Sequence, residues 1–179
     1  YGNYNPYLTS LEYSRSCHGP VAALTNLKSL GIKGLQQLCA NITSSAHYFR
    51  KKLSENPNVV LIAGNTLGNA TMFLVKPKFL KDFNEKGLYS FSEDDISKLR
   101  EFNVNFGKYI LNKSINKDIT FFFTSSRSYT LPASNIKAGT LKAYPMSVFL
   151  DKNEVDRILE ELNKEISNYV DNEYDNNHG

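Results

Sequence analysis

Hydrophobic and polar positions follow two periods along this chain, and the changes of period mark out its elements. From Pro20 an apolar, Ala-rich run predicts a short helix to Leu30, with Pro in the first turn and Gly31 as its stop. Beyond it, Ile32, Leu35, Leu38, Cys39, Ile42, Ala46, Phe49 and Leu53 recur every three or four residues. That is the spacing of one long amphipathic helix, ending before Pro57. The run Val59-Val60-Leu61-Ile62 predicts a strand, residues 64–69 a turn, and residues 70–75 a second strand closed by Pro77, together an antiparallel hairpin. Residues 77–92 are mixed and Lys-rich. Ser92-Glu93-Asp94-Asp95 then opens a helix through Leu99, Phe106 and Ile110, a hydroxyl cap followed by carboxylates at the positive end of the helix dipole. A third strand is expected at residues 119–124, followed by a polar turn at 125–128, and a fourth strand at 139–144, where Pro145 marks an end or an edge. The last helix, capped by Asp151 or Asn153, carries Val155, Ile158, Leu159, Leu162, Ile166 and Tyr169 on one face. This order of elements predicts an α+β fold, with helices on one face of a largely antiparallel sheet.

Composition narrows the function classes. A chain of 179 residues, 41% hydrophobic and 22% charged, is long enough to bury a core. Its 21 basic and 18 acidic residues leave a net charge of +3, and the lysines are scattered among Asn and Glu, so no nucleic-acid footprint is expected. No run approaches the length of a membrane span and no basic segment leads into an apolar one at the start, which points to a cytoplasmic setting. Cys17 and Cys39 are too few for a disulfide framework, and His18, His47 and His178 lack metal-ligand spacing, so no metal site is expected. Sequons at Asn41, Asn69 and Asn112 are what an Asn-rich chain supplies by chance.

The densest candidate chemistry is Tyr13-Ser14-Arg15-Ser16-Cys17-His18-Gly19-Pro20, immediately before the first helix. A hydroxyl, a guanidinium and a small-residue turn feeding a helix start suit an anion such as phosphate. The same residues also fit a turn capped by Ser14 with Arg15 paired to Glu12. Cys17 beside His18 does not make a nucleophile and base, because adjacent side chains point apart and no third orienting group follows. The Phe121-Phe122-Phe123 run is expected to be a core strand, and His47 a helix-flank residue. Residues 1–12 are aperiodic, with three tyrosines around a Gly and a Pro. They resemble a loop that lies against something, as if the chain began in mid-protein.

Over residues 8–170 the motifs and the order of elements resemble the carboxy-terminal part of group II pyridoxal-phosphate amino-acid decarboxylases. The family's frame of aromatic, Ser-Arg, Gly-containing turn and long helix with a Leu-Gly hinge reads here Tyr13-Ser14-Arg15, Gly19 and Leu30-Gly31-Ile32-Lys33-Gly34-Leu35. Phe122-Phe123-Thr124-Ser125-Ser126, Leu131-Pro132 and Leu141-Lys142-Ala143 are similar to the end of bacterial tyrosine decarboxylases. The resemblance implies the small domain of a fold-type I pyridoxal 5'-phosphate enzyme. Residues 1–31 would be the tail of the large cofactor domain, 32–57 the connecting helix from it, 58–171 the small domain and 172–179 a disordered tail. It further implies a homodimer acting on a small-molecule substrate, an L-amino acid, with Ser14 reaching the cofactor phosphate held by the neighbouring subunit and Arg15 fixing that loop. Tyr13, Lys142 and Tyr144 would line the substrate pocket.

Three departures qualify the resemblance. The family's cofactor-holding lysine, usually preceded by His, and the Asp that pairs with the pyridine nitrogen lie upstream, and no His-Lys pair occurs here. The chain is therefore expected to be a carboxy-terminal fragment, inactive alone. Lys142 stands where the family has Arg, keeping the charge without the bidentate fork, and a solvent-facing strand lysine fits the position equally well. Tyr144 replaces a small residue, which speaks against tyrosine as substrate. A carbon-carbon lyase of the sphingosine-phosphate lyase type and a non-catalytic interaction module share the same expected fold.

Overall fold

The structure, a computed structural model, describes residues 18–80, 82–131, 134–144 and 150–176, with the side chains of 18–20, 127–128 and 173–176 left out. Contacts divide the chain into two units, Tyr1–Cys39 and Ala40–Gly179. The boundary falls inside helix α1 (His18–Leu53), which is broken at Gly31, where φ is 62° and ψ −178°. A side chain is strained at that φ, so glycine is the residue that allows the break. The expected pair of helices is thus present, joined at Gly31. In the first unit Val21, Leu24, Leu27, Leu30 and Ile32 are all exposed, a slanting apolar stripe along the helix.

The second unit is built on a sheet of four antiparallel strands in the order β1 (Val59–Ile62), β2 (Thr71–Val75), β4 (Lys137–Ala143), β3 (Thr124–Thr130). The hairpin has Val59 opposite Val75, and β2 continues onto β4 with Phe73 opposite Leu141. Strand alternation then gives each face its own core. Val59, Phe73, Val75, Leu141 and Ala143 meet three helices: α1 through Phe49 and Leu53, α2 (Glu93–Ile115) through Phe102, Phe106 and Ile110, and α3 (Lys152–Asn176) through Val155, Leu159, Leu162 and Ile166. The other face, with Val60, Ile62, Leu74 and Ala138, is covered by Phe83, Leu88, Leu99 and Leu131. Leu88 belongs to a 3-10 helix at Glu85–Ser90, inside a stretch where the sequence shows no period.

Helix starts follow their caps. Ser92 Oγ accepts from the Asp95 amide at 3.1 Å to open α2, and Asp151 Oδ1 accepts from the Glu154 amide at 2.9 Å to open α3. Two expectations are corrected. The third strand begins at Thr124 rather than ending there, so the residues expected to form a polar turn are strand β3. Phe121 and Phe123 are buried in the helix-side core ahead of the strand, with Phe122 exposed between them. β3 is an edge strand, and its pairing is set by the β4 backbone, which polar side chains serve as well as apolar ones. The final helix also runs past Asp171 to Asn176.

How α2 meets the sheet fixes the rest. Strand β4 pairs with β2 only as far as Phe73, leaving the β4-side backbone of Val75 without a strand partner. Asn103, 1% exposed, fills that place: its Oδ1 accepts from the Val75 amide at 2.7 Å and its Nδ2 donates to the Val75 carbonyl at 3.1 Å. Close by, a Cβ built on Gly139 would stand 2.8 Å from the Arg100 carbonyl oxygen of α2. The helix backbone rests on the strand there, and only glycine leaves room.

Asn103→Ala is expected to lower stability by about 1–3 kcal/mol, because two buried backbone groups lose their partner. Gly139→Ala should cost about 1–3 kcal/mol by overpacking. Urea unfolding checks both, as a lower midpoint with an unchanged slope.

Candidate functional site

Of the five residues the sequence nominates, Tyr13, Ser14 and Arg15 lie outside the described residues, and Lys142 and Tyr144 are in the sheet region. Lys142 is on β4 between Met72 of β2 and Thr124 of β3, half-buried, on the face opposite the three helices. Its ammonium lies 5.9 Å from the centroid of the Tyr129 ring, within reach of a cation–π attraction. Thr140, two residues earlier and on the same face, is almost wholly buried, and its hydroxyl has no partner. Tyr144 follows the last strand residue and is 50% exposed. The structure therefore gathers Lys142, Thr140, Tyr129 and Met72, of which sequence analysis nominated only Lys142. The bulge in β3 between Ser126 and Tyr129 is what turns Tyr129 to that position. A half-buried point charge beside an aromatic face can hold a carboxylate, whereas the Thr140 hydroxyl is sealed in the interior away from it. The cluster supplies no paired acid and base, and no nucleophile with an activating partner.

A second polar cluster is Tyr109–Lys113–Glu165, between α2 and α3. The Tyr109 hydroxyl donates to Glu165 at 2.6 Å and Lys113 Nζ pairs with it at 2.8 Å, while Glu165 is only 6% exposed. Burial pushes the Glu165 carboxyl up, but hydrogen bonds from Lys113 and Tyr109 and the charges of Lys113 and Lys164 outweigh it and leave it below its ordinary value. Burial and the Glu165 contact push Tyr109 up, and the Glu165 and Tyr109 contacts raise Lys113. Each shift holds its group in its ordinary form at neutral pH, Glu165 and Lys113 charged and Tyr109 uncharged, so the cluster is a latch between helices rather than an acid–base pair.

Arg50 is the buried cation that sequence analysis passed over. It is 5% exposed, and its guanidinium donates to the carbonyls of Thr66 and Gly68 at 2.6 Å and of Ala70 at 3.3 Å, clamping the β1–β2 connection. A signal existed: position 50 is four residues after Ala46 and three before Leu53, within the apolar face. Among the described residues no group of three His, Cys, Asp or Glu could hold a metal ion, and no helix is long and apolar enough to cross a membrane.

Solved structures similar in fold to this chain include mouse CSAD in apo form, which matches over 90% of this chain with a TM-score of 0.62 and 14% identity. The glutamate decarboxylase domain of diaminobutyrate-pyruvate transaminase and L-2,4-diaminobutyrate decarboxylase from Vibrio parahaemolyticus matches over 82%, with a TM-score of 0.56 and 12% identity. A further structure of mouse CSAD matches over 78%, with a TM-score of 0.55 and 16% identity. The chain spans 30%, 25% and 26% of these three chains respectively, and at such identities the likeness is one of fold. No family model and no curated protein sequence matches it.

Glu165→Gln is expected to destabilise the chain by about 1–3 kcal/mol at neutral pH through loss of a charged, buried hydrogen-bond acceptor. Because the folded carboxyl lies below its unfolded value, its contribution is full above the unfolded pKa and is lost as pH falls through the folded one. Thermal melts between neutral and acidic pH should show the wild-type advantage over Glu165→Gln shrinking only on the acid side.

Proposed function

We propose that this chain is the carboxy-terminal part of a pyridoxal-phosphate-dependent amino-acid decarboxylase, its second unit serving as the small domain. The observation that carries this is the fold match over 90% of the chain to 30% of a longer protein. The apolar stripe at Val21, Leu24, Leu27, Leu30 and Ile32 supports it, since a face of that composition is suited to burial against further protein. The cofactor, when bound, supplies an electron sink for loss of the substrate carboxylate as carbon dioxide. The chain's own residues bind and orient. In this reading Ser14 donates to the cofactor phosphate across a homodimer interface and Arg15 holds the Ser14 loop. Lys142 faces a substrate carboxylate, with Tyr129 restricting its ammonium and Tyr13 and Tyr144 bounding the aromatic side of the pocket. The described residues fit a carboxylate at Lys142, as a point charge next to an aromatic face. They include no His-Lys pair to hold the cofactor itself.

The test uses the protein encoded by the complete reading frame, purified with pyridoxal 5'-phosphate and assayed for carbon dioxide release from L-amino acids. Retention of cofactor that borohydride fixes covalently, together with carbon dioxide release, is the expected result. Ser14→Ala should weaken cofactor affinity about 10- to 100-fold, the worth of a hydrogen bond to a charged group. Lys142→Ala should raise KM more than it lowers kcat. A complete protein that retains no cofactor would overturn the enzymatic reading and leave an interaction module of the same fold.

A further inference from the structure

We propose that the groove between the carboxy-terminal turns of α1 and the β1–β2 connection binds an oxyanion, a phosphate group either free or carried on an ester. Its lining comes from His47, Arg50, Lys51 and Ser54 of α1, with Leu61 and the turn Gly64-Asn65-Thr66 opposite. Positions 47, 50, 51 and 54 follow the three- and four-residue spacing of one helix face, so two permanent cations, an imidazole and a hydroxyl are presented together. No carboxylate lines the groove. Glu85, the acid that touches this connection, accepts from the Ala63 amide at 2.9 Å and is not among the lining groups.

Arg50 is the second, independent observation. It is 95% buried by its 5% exposure, yet its hydrogen bonds go only to neutral carbonyls and its Nε has no partner. Buried guanidinium groups are ordinarily matched by a carboxylate or another anion, because neutral acceptors leave the charge uncompensated. Burial pushes the Arg50 pKa down, in keeping with a cation that lacks a counter-ion. An anion in the groove would sit beside that charge and be met by the Lys51 ammonium from the adjacent helix position. The Thr66 hydroxyl oxygen accepts from the Gly68 amide at 3.2 Å, which leaves its proton to donate.

The groove is open to solvent, with a volume of about 530 Å³, and admits a phosphate either free or carried on a small organic group. The space beyond the cations is bounded by Leu61 and Asn65, a mixed surface suited to a small organic group. This inference is independent of the decarboxylase reading, since it uses none of that site's residues and its test needs neither cofactor nor activity.

The test is a backbone amide NMR titration of the 179-residue chain with inorganic phosphate and, separately, glycerol 3-phosphate, sodium chloride being adjusted to hold ionic strength constant. The amides of Gly64, Asn65 and Thr66 are expected to shift saturably, and the tighter of the two ligands identifies the free ion or the ester as the source. Lys51→Glu should weaken the apparent affinity by about 10-fold or more, as loss and reversal of a contacting charge would. Lys108→Glu, on the exposed side of α2, should leave it unchanged. Shifts that grow linearly without saturation, or that persist in Lys51→Glu with its fold intact by the same spectra, would overturn the site altogether.

Discussion

The structure depends on a helix backbone laid directly against a strand. Helix α2 meets β4 at Gly139, where even a methyl group would collide with the Arg100 carbonyl, and it completes the hydrogen bonding of Val75 through Asn103. An amide side chain here does the work of a missing strand segment, satisfying both backbone groups of a buried residue in water-free surroundings. That junction fixes the height and direction of α2, and with them the positions of Phe102, Phe106 and Ile110 over the sheet. The Tyr109–Lys113–Glu165 latch then ties α3 to α2. The order of dependence runs from β2 and β4 to α2 and from α2 to α3.

The two faces of the sheet differ in a way that bears on function. The helix side is mostly apolar, built from aromatic rings such as Phe73 and Phe123 packed edge to face at 5.4 Å, with Thr71 the buried polar exception. The opposite face is apolar where Phe83, Leu88, Leu99 and Leu131 cover it, and elsewhere carries Thr140 and Lys142. Half-buried charge and an orphaned hydroxyl are costly in a sheet whose only task is stability. The proposed substrate contact lies on that face through Lys142 alone, since the helix face carries an orphaned hydroxyl of its own at Thr71. Arg50 presents the same imbalance at another location, a buried cation facing only carbonyls.

Much of this was legible in the residues themselves, and what was not has identifiable causes. Gly31, Ser92 and Asp151 act through local backbone geometry, so their roles as break and caps could be read from neighbours in sequence. The Val59–Ile62 and Thr71–Val75 hairpin was legible because a short connection ties two apolar runs. Strand β3 was misplaced because Phe121 and Phe123 are buried without pairing, whereas Thr124–Thr130 pairs without being apolar. In the candidate site Lys142 was visible through resemblance alone. Tyr129 joined it only because a bulge shifts the β3 register.

The sequence by itself determined where helices start and break, which strands are apolar enough to form a hairpin, and which faces of α2 and α3 turn inward. Those outcomes depend on interactions within a few residues and on the period of one element about its own axis. Only the tertiary structure decided that Asn103 would stand in for a strand, that Arg50 would be buried without a carboxylate, and that Lys142 would meet an aromatic ring. Each of these pairs groups that are distant along the chain, and no local propensity records which backbone edge, carbonyl or ring will be waiting there.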